Sequence, residues 1–102
     1  IIDPIDGTTN FIFDYKHSCI SVGLTKFGRM LFGCVYNPYT REMYSAVKGE
    51  GAKLNGKEIH CSDKGLADNL VAFGTARYQT EDTDRIFDHA KKLYLNSLGI
   101  LS

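Results

Sequence analysis

The sequence predicts an α+β protein, in which a mostly antiparallel sheet meander precedes a helix that begins a second α/β part. Short apolar runs alternate with polar residues at the two-residue period of a strand, and short turns rich in Gly, Asn and Pro join them. Later in the chain, apolar residues recur at helical spacing. We therefore assign residues 1–65 to the first strand and the meander, and residues 66–102 to the start of the second part, within one continuous unit.

The first element is a short strand. Ile1 and Ile2 have the character of a buried strand end, and we expect Pro4 to end it, because proline lacks a backbone donor and fixes its own φ. Residues 6–10 have the polar chemistry of a turn and of a helix start.

Five further strands form the predicted meander. They span residues 18–25, 30–36, 42–47, 52–54 and 57–60. In the first of them Ile20, Val22 and Leu24 share one face, since successive side chains alternate along a strand. The dipeptide Asn55-Gly56 is the strongest hairpin signal, because both residues tolerate positive φ.

The second part begins with an apolar run at residues 70–73, which predicts another strand. Thr80 can then cap a helix, with acidic residues near its start and Lys91 and Lys92 towards its end. Its apolar face consists of Ile86, Phe87, Ala90, Leu93 and Tyr94. A final run at residues 98–101 predicts the start of one more strand.

Composition limits the partners. Twelve basic residues balance twelve acidic ones, so the chain lacks the basic excess expected of a protein that binds nucleic acid or an anionic membrane. No apolar run reaches the roughly 20 residues that cross a bilayer, and no signal-like segment opens the chain. The three cysteines are widely spaced, which favours free thiols. We expect a cytoplasmic protein that binds neither nucleic acid nor membrane.

The clearest chemistry follows the first apolar pair. Asp3 and Asp6 are two carboxylates, and the carbonyl oxygen of Ile5 lies between them. Magnesium takes oxygen ligands and shares its shell among carboxylates, water and a substrate phosphate. We expect a turn at Pro4 to bring the three oxygens towards one small volume.

Gly7 and Thr8 complete this segment. A glycine allows close backbone approach, and exposed amides at the start of a helical turn favour a bound phosphate. The metal and phosphate sites would then adjoin. The alternative is a purely structural turn, since Asp-Pro and Asp-Gly are ordinary turn dipeptides.

The order of these residues is also similar to that of a known family. Residues 1–11 closely resemble the first metal-binding signature of the inositol monophosphatase family. The similarity continues in residues 21–24, 33–38, 48–52 and 54–57, and covers nearly the whole chain. It implies the layered α-β-α-β-α sugar-phosphatase fold, present here in part.

The resemblance implies a role for each residue of the site. Asp3 would bridge Mg²⁺ ions, with the Ile5 carbonyl and Asp6 as further ligands. The phosphate would be held by Ile5, Asp6, Gly7 and Thr8. Thr8 and Asp6 would be the catalytic residues, and Thr8 would help an upstream glutamate to activate the attacking water. The implied substrate is a small phosphate monoester of inositol or a related polyol or sugar, and the implied assembly is a homodimer.

Two parts of the family's site lie outside this sequence. The glutamate pair would precede Ile1, and a Trp-Asp motif would follow Ser102. We therefore expect a chain cut short at both ends, which on its own binds magnesium weakly and hydrolyses little substrate. A turnover assay that matched a full-length homologue would contradict this expectation.

Three alternatives remain. Haloacid dehalogenase-type phosphatases use an Asp-x-Asp-Gly-Thr string, but Pro4 occupies its first position here, which argues against that class. Within the resembling superfamily, a 3'(2'),5'-bisphosphate nucleotidase or a fructose-1,6-bisphosphatase would share the metal site, although residues 9–11 favour inositol monophosphatase-like members. Residues 13–17 depart from the family's usual loop. A non-catalytic fragment or scaffold is the third alternative.

Overall fold

The protein is described by a computed structural model over residues 1–74 and 81–101. It divides into two compact units, Ile1–Cys61 and Ser62–Ser102. We predicted a boundary after residue 65, between the first α+β part and the start of the second α/β part of the family's fold. That boundary stays a prediction.

The first unit is a six-stranded sheet in which every neighbouring pair is antiparallel and strand order follows chain order. The strands are β1 (Ile2–Asp6), β2 (Cys19–Lys26), β3 (Arg29–Asn37), β4 (Glu42–Val47), β5 (Ala52–Leu54) and β6 (Lys57–Ile59). A short helix, α1 (Thr8–Ile12), links β1 to β2. The predicted meander is confirmed, and β1 joins it as a sixth strand.

The turns use residues that tolerate positive φ. Asn55 and Gly56, between β5 and β6, have φ of 49° and 83°, as the Asn-Gly hairpin requires. The Asn55 side chain also accepts a hydrogen bond from the Met43 amide at 2.8 Å, which ties this turn to β4.

The prediction that Pro4 ends the first strand is wrong. Strand β1 continues through Pro4 to Asp6, with a register irregularity between Asp3 and Asp6. Proline is tolerated here because β1 is an edge strand, and because a bulged residue needs no ladder bond.

Little of the described chain is buried. Among these residues only Ala90 and Ser18 are buried. The alternation predicted for β2 is confirmed, because the register with β3 is regular from Ile20 to Leu24 and so keeps Ile20, Val22 and Leu24 on one face. Apolar side chains are exposed on both faces of the sheet, with Leu24 at 56% on one face and Val35 at 39% on the other.

The second unit is a parallel βαβ arrangement. Strands β7 (Leu70–Ala72) and β8 (Gly99–Leu101) pair in parallel, and α2 (Thr83–Asn96) connects them. A 3₁₀ helix at Leu66–Asp68, which the sequence did not predict, precedes β7. Phe73 contacts Phe87 of α2, with ring centroids 5.9 Å apart. The predicted cap Thr80 lies outside the described residues, and within them no helix is long and apolar enough to span a membrane.

Candidate metal and phosphate site

A β-bulge in β1 places the two aspartates on one face of the sheet. Asp3 pairs with Ser21 and Asp6 with Cys19, so three steps along β1 match two steps along β2. In a regular strand, residues three apart point to opposite faces. The extra residue of a bulge shifts the alternation by one position, so the side chains after it point to the opposite face from the one expected in a regular strand. Asp3 and Asp6 therefore share the face on which Cys19 and Ser21 lie.

Local hydrogen bonds fix the peptide between the aspartates. The Ile5 amide donates to a carboxylate oxygen of Asp3 at 3.2 Å, which is an Asx-type turn over Pro4. The Thr8 hydroxyl donates to the Ile5 carbonyl at 2.8 Å. A carbonyl oxygen has two lone pairs, so Ile5 keeps one acceptor position besides the bond from Thr8.

Gly7 makes the corner between β1 and α1. It adopts a left-handed conformation with φ of 81° and immediately precedes α1. A Cβ at this position would lie 2.8 Å from the His17 carbonyl oxygen and 3.3 Å from the Ser18 Cα. We predicted that a close backbone approach requires glycine at this position. The backbone that approaches Gly7 is that of His17 and Ser18. The amides at the start of α1 have no partner within the helix, which is the property expected of a phosphate cradle.

Cys19 is a neighbour of the site that the sequence did not reveal as such. Its thiol donates to a carboxylate oxygen of Asp6 at 3.9 Å. Partial burial, and then the negative charges of Asp6 and Asp3, raise the pKa of the Cys19 thiol above its usual value. The charges of both carboxylates therefore reach the sulfur atom of Cys19. Only the pairing of β1 with β2 places Cys19 there, and no local pattern signals it.

A cavity of about 430 Å³ opens beside Asp6. It is bordered by polar groups that include Asn10, His17 and Asn37, together with Gly7. Ser18, on the same border, is almost fully buried and its hydroxyl lies 3.3 Å from that of Tyr39. The carboxylate of Asp6 thus faces a space that can admit a polar ligand.

The donor set suits a hard cation. Two carboxylates and a peptide oxygen are the ligand types that magnesium prefers, and all three residues are exposed. Within residues 1–74 and 81–101 no Lys or Arg forms an ion pair with Asp3 or Asp6. In the same part of the chain, no three His, Cys, Asp or Glu side chains form a group that could hold a metal ion. The donors fit magnesium in chemistry, and further protein ligands or water would complete the shell.

The structure places all five residues chosen from the sequence in one continuous segment, with Asp3 and Asp6 on one face of β1 and with Ile5 bonded to both Asp3 and Thr8. They are Asp3, Ile5, Asp6, Gly7 and Thr8. Their individual roles as ligands, phosphate contacts and catalytic groups stay predictions.

Comparison with known proteins gives a consistent result. The sequence model described as the inositol monophosphatase family matches residues 1–99. Inositol monophosphatase 2 of Saccharomyces cerevisiae is 42% identical over 101 residues, which cover 97% of this chain and 35% of that protein. The chain spans about a third of the length of this relative.

Solved structures share the fold. The inositol monophosphatase from Anabaena superposes with a TM-score of 0.89 at 33% identity, covering 98% of this chain and 41% of that one. The MJ0109 gene product, an inositol monophosphatase-fructose 1,6-bisphosphatase, superposes with a TM-score of 0.74 at 25% identity, covering 99% of this chain and 36% of that one. The predicted fold class is confirmed.

Proposed function

This chain belongs to the inositol monophosphatase family, and we propose that the protein carrying it hydrolyses a phosphate monoester of inositol or a related polyol or sugar. Water is the nucleophile and Mg²⁺ is the cofactor. Family membership supports the reaction class. The substrate and the metal rest on the chemistry of the site.

The observation that carries this proposal is the bulge in β1. It sets Asp3 and Asp6 on one face, Ile5 lies between them in the chain, and no basic side chain in the described residues neutralises either carboxylate. We assign the three residues as ligands of Mg²⁺. Bound magnesium would make water a better nucleophile and neutralise charge on the phosphoryl oxygens and the leaving alkoxide.

The residues that follow bind and orient the phosphate. Gly7 turns the chain so that the first amides of α1 are free to donate to phosphoryl oxygens. The Thr8 hydroxyl donates to the Ile5 carbonyl, and its oxygen can still accept a hydrogen bond from an adjacent water. Because phosphoryl transfer depends mainly on positioning and charge neutralisation, such a cluster needs no covalent intermediate.

Paired variants of the full-length protein test this assignment. Asp6→Asn removes one ligand charge at nearly constant volume, and we expect phosphate release from inositol 1-phosphate in Mg²⁺ to fall at least about 100-fold. Asp14→Asn removes the same charge from an exposed loop residue at positive φ, a conformation that asparagine tolerates. Full activity of Asp6→Asn, or an equal loss in both variants, would refute the assignment.

A bisphosphatase is the second candidate. It is favoured by the superposition on the MJ0109 gene product, which is named for both activities. Rates with inositol 1-phosphate, fructose 1,6-bisphosphate and a 3',5'-bisphosphate nucleotide separate the candidates, the nucleotidase included. No turnover of any of the three would instead favour a scaffold.

We also propose a cytoplasmic homodimer. Aromatic residues beside the strands, such as Tyr39 and Tyr44, suit a protein interface. Light scattering of the full-length protein measures the assembly, and a monomer at micromolar concentration would contradict it.

A further inference from the structure

Asn10 holds the loop that follows α1. Its side-chain amide donates to the His17 carbonyl at 2.9 Å, and its main-chain carbonyl accepts a hydrogen bond from the Tyr15 amide at 2.9 Å. A single half-buried residue thus bonds two points of the loop formed by residues 13–17. The neighbouring Thr9 is exposed.

The loop requires such support. Asp14 and Lys16 both adopt positive φ, at 54° and 59°. For residues with a Cβ this conformation costs about 1 kcal/mol or more each, and it persists only where surrounding contacts fix it. Backbone bonds from the Phe13 and Asp14 amides hold the start of the loop. Since the loop side chains are exposed, the bonds to Asn10 are the hydrogen bonds that hold Tyr15 and His17.

The held loop in turn supports Gly7. The His17 carbonyl that Asn10 binds is the atom closest to the absent Cβ of Gly7, at 2.8 Å. If the His17 carbonyl were released, it would no longer pack against Gly7. The Gly7 backbone could then sample many other conformations. The direction of the amides at the start of α1 depends on that corner.

We propose that Asn10 is a positioning residue for the phosphate cradle. It acts through the His17 carbonyl, which keeps Gly7 left-handed and the amides of Gly7 and Thr8 aimed at the phosphate. This inference rests on the proposed function for the identity of the ligand. The link from Asn10 through His17 to Gly7 rests on the observed distances alone.

The test compares Asn10→Ala with Thr9→Ala in the full-length protein. Both variants place the best helix former in α1, but only the first removes the bond to His17. For Asn10→Ala we expect amide exchange in residues 13–18 to accelerate at least about tenfold. The affinity for inorganic phosphate should fall, and kcat/KM should fall about 10- to 100-fold, mostly in kcat, as for a misaligned site. Thr9→Ala should match the parent protein.

Asn10→Asp separates positioning from packing and charge. Aspartate keeps the size of asparagine but cannot donate to His17. By charge alone it would strengthen binding of Mg²⁺, whereas loss of positioning would weaken it. We expect faster exchange in residues 13–18 and a higher half-saturating Mg²⁺ concentration.

The outcomes distinguish this inference from the proposed function. An active parent protein whose Asn10 variants keep parental exchange, phosphate affinity and kcat overturns the inference and leaves the proposed function standing. A parent that binds phosphate without hydrolysing any monoester overturns the proposed function, and the exchange and affinity data still decide the role of Asn10. A parent with no affinity for phosphate overturns both.

Discussion

Gly7 has no room for a side chain. Its φ of 81° strains any residue with a Cβ, and the His17 carbonyl oxygen would lie 2.8 Å from that atom. We expect Gly7→Ala to lower the free energy of unfolding by at least about 2 kcal/mol and to reduce activity, because the chain must move at the phosphate cradle. Chemical denaturation of the full-length protein measures the change.

Gly28 provides the matched control. It has a similar φ of 72°, but an added Cβ would meet nothing within 4 Å. Gly28→Ala therefore reports the cost of the left-handed conformation alone, about 1 kcal/mol. Equal destabilisation by the two substitutions would show that close packing on Gly7 contributes nothing.

The thiol of Cys19 should react slowly. Partial burial and the charges of Asp6 and Asp3 raise its pKa, so at pH 8 a smaller fraction is thiolate, the form that reacts. Cys61 is exposed. We expect Cys19 to be alkylated by iodoacetamide at least about tenfold more slowly than Cys61, and the thiolate fraction of Cys19 to rise only at higher pH. Peptide mass spectrometry gives both rates, and equal rates at pH 8 would contradict this account.

Residue types made Asp3, Ile5 and Asp6 candidate ligands, and the resemblance of residues 1–11 to the family's metal-binding signature favoured this interpretation over a structural turn. Carboxylates and a peptide oxygen within four residues are local features, and so is the Gly-Thr pair after them. Cys19 and Asn10 were not recognised, because their contacts depend on the pairing of β1 with β2 and on a bond from Asn10 to the backbone seven residues away.

At the scale of elements, the bulge in β1 determines where the carboxylates point. Pro4 lies inside the bulge and has no amide to pair with β2, which disfavours regular pairing at that point. We expect Pro4→Ala to let β1 sample a regular register. The half-saturating Mg²⁺ concentration should then rise several-fold while stability changes by less than about 1 kcal/mol. Magnesium titration of activity in the full-length protein measures the effect.

Pro38 is the control for that substitution. It lies in the turn after β3, outside the bulge and outside the pairing of β1 with β2. Pro38→Ala should leave the magnesium dependence unchanged. A Pro4→Ala variant with parental magnesium dependence would mean that the bulge forms without help from proline.

The strands other than β1 were predicted to within one or two residues, because period-two alternation and Asn, Gly or Pro turns are local signals. Strand β4 was predicted with its observed bounds, Glu42–Val47. The bulge was not predicted, since a register irregularity is defined only relative to the partner strand. Pro4 was read as the end of a strand for the same reason. A proline that interrupts one ladder bond is not distinguishable in sequence from one that ends the pairing.

At the scale of the whole molecule, the described chain buries very little. Large apolar side chains remain exposed on both faces of the sheet, so this segment alone should be marginally stable. In the full-length protein, Mg²⁺ should add stability by relieving repulsion between Asp3 and Asp6. At 100 times its dissociation constant, a ligand specific to the folded state adds about 2.7 kcal/mol. We expect thermal melting to shift upward with Mg²⁺ in the parent but not in Asp6→Asn, and an unchanged parent melting temperature would contradict this.

The proposed activity requires that Asp3, Ile5 and Asp6 hold a common set of divalent cations. The most direct measurement is the anomalous difference density of Mn²⁺, a stand-in for Mg²⁺, in crystals of the full-length protein. We predict a peak within about 2.0–2.3 Å of carboxylate oxygens of Asp3 and Asp6 and of the Ile5 carbonyl oxygen. Manganese bound only by other residues, or no peak at saturating Mn²⁺ with the two carboxylates turned apart, would contradict the account.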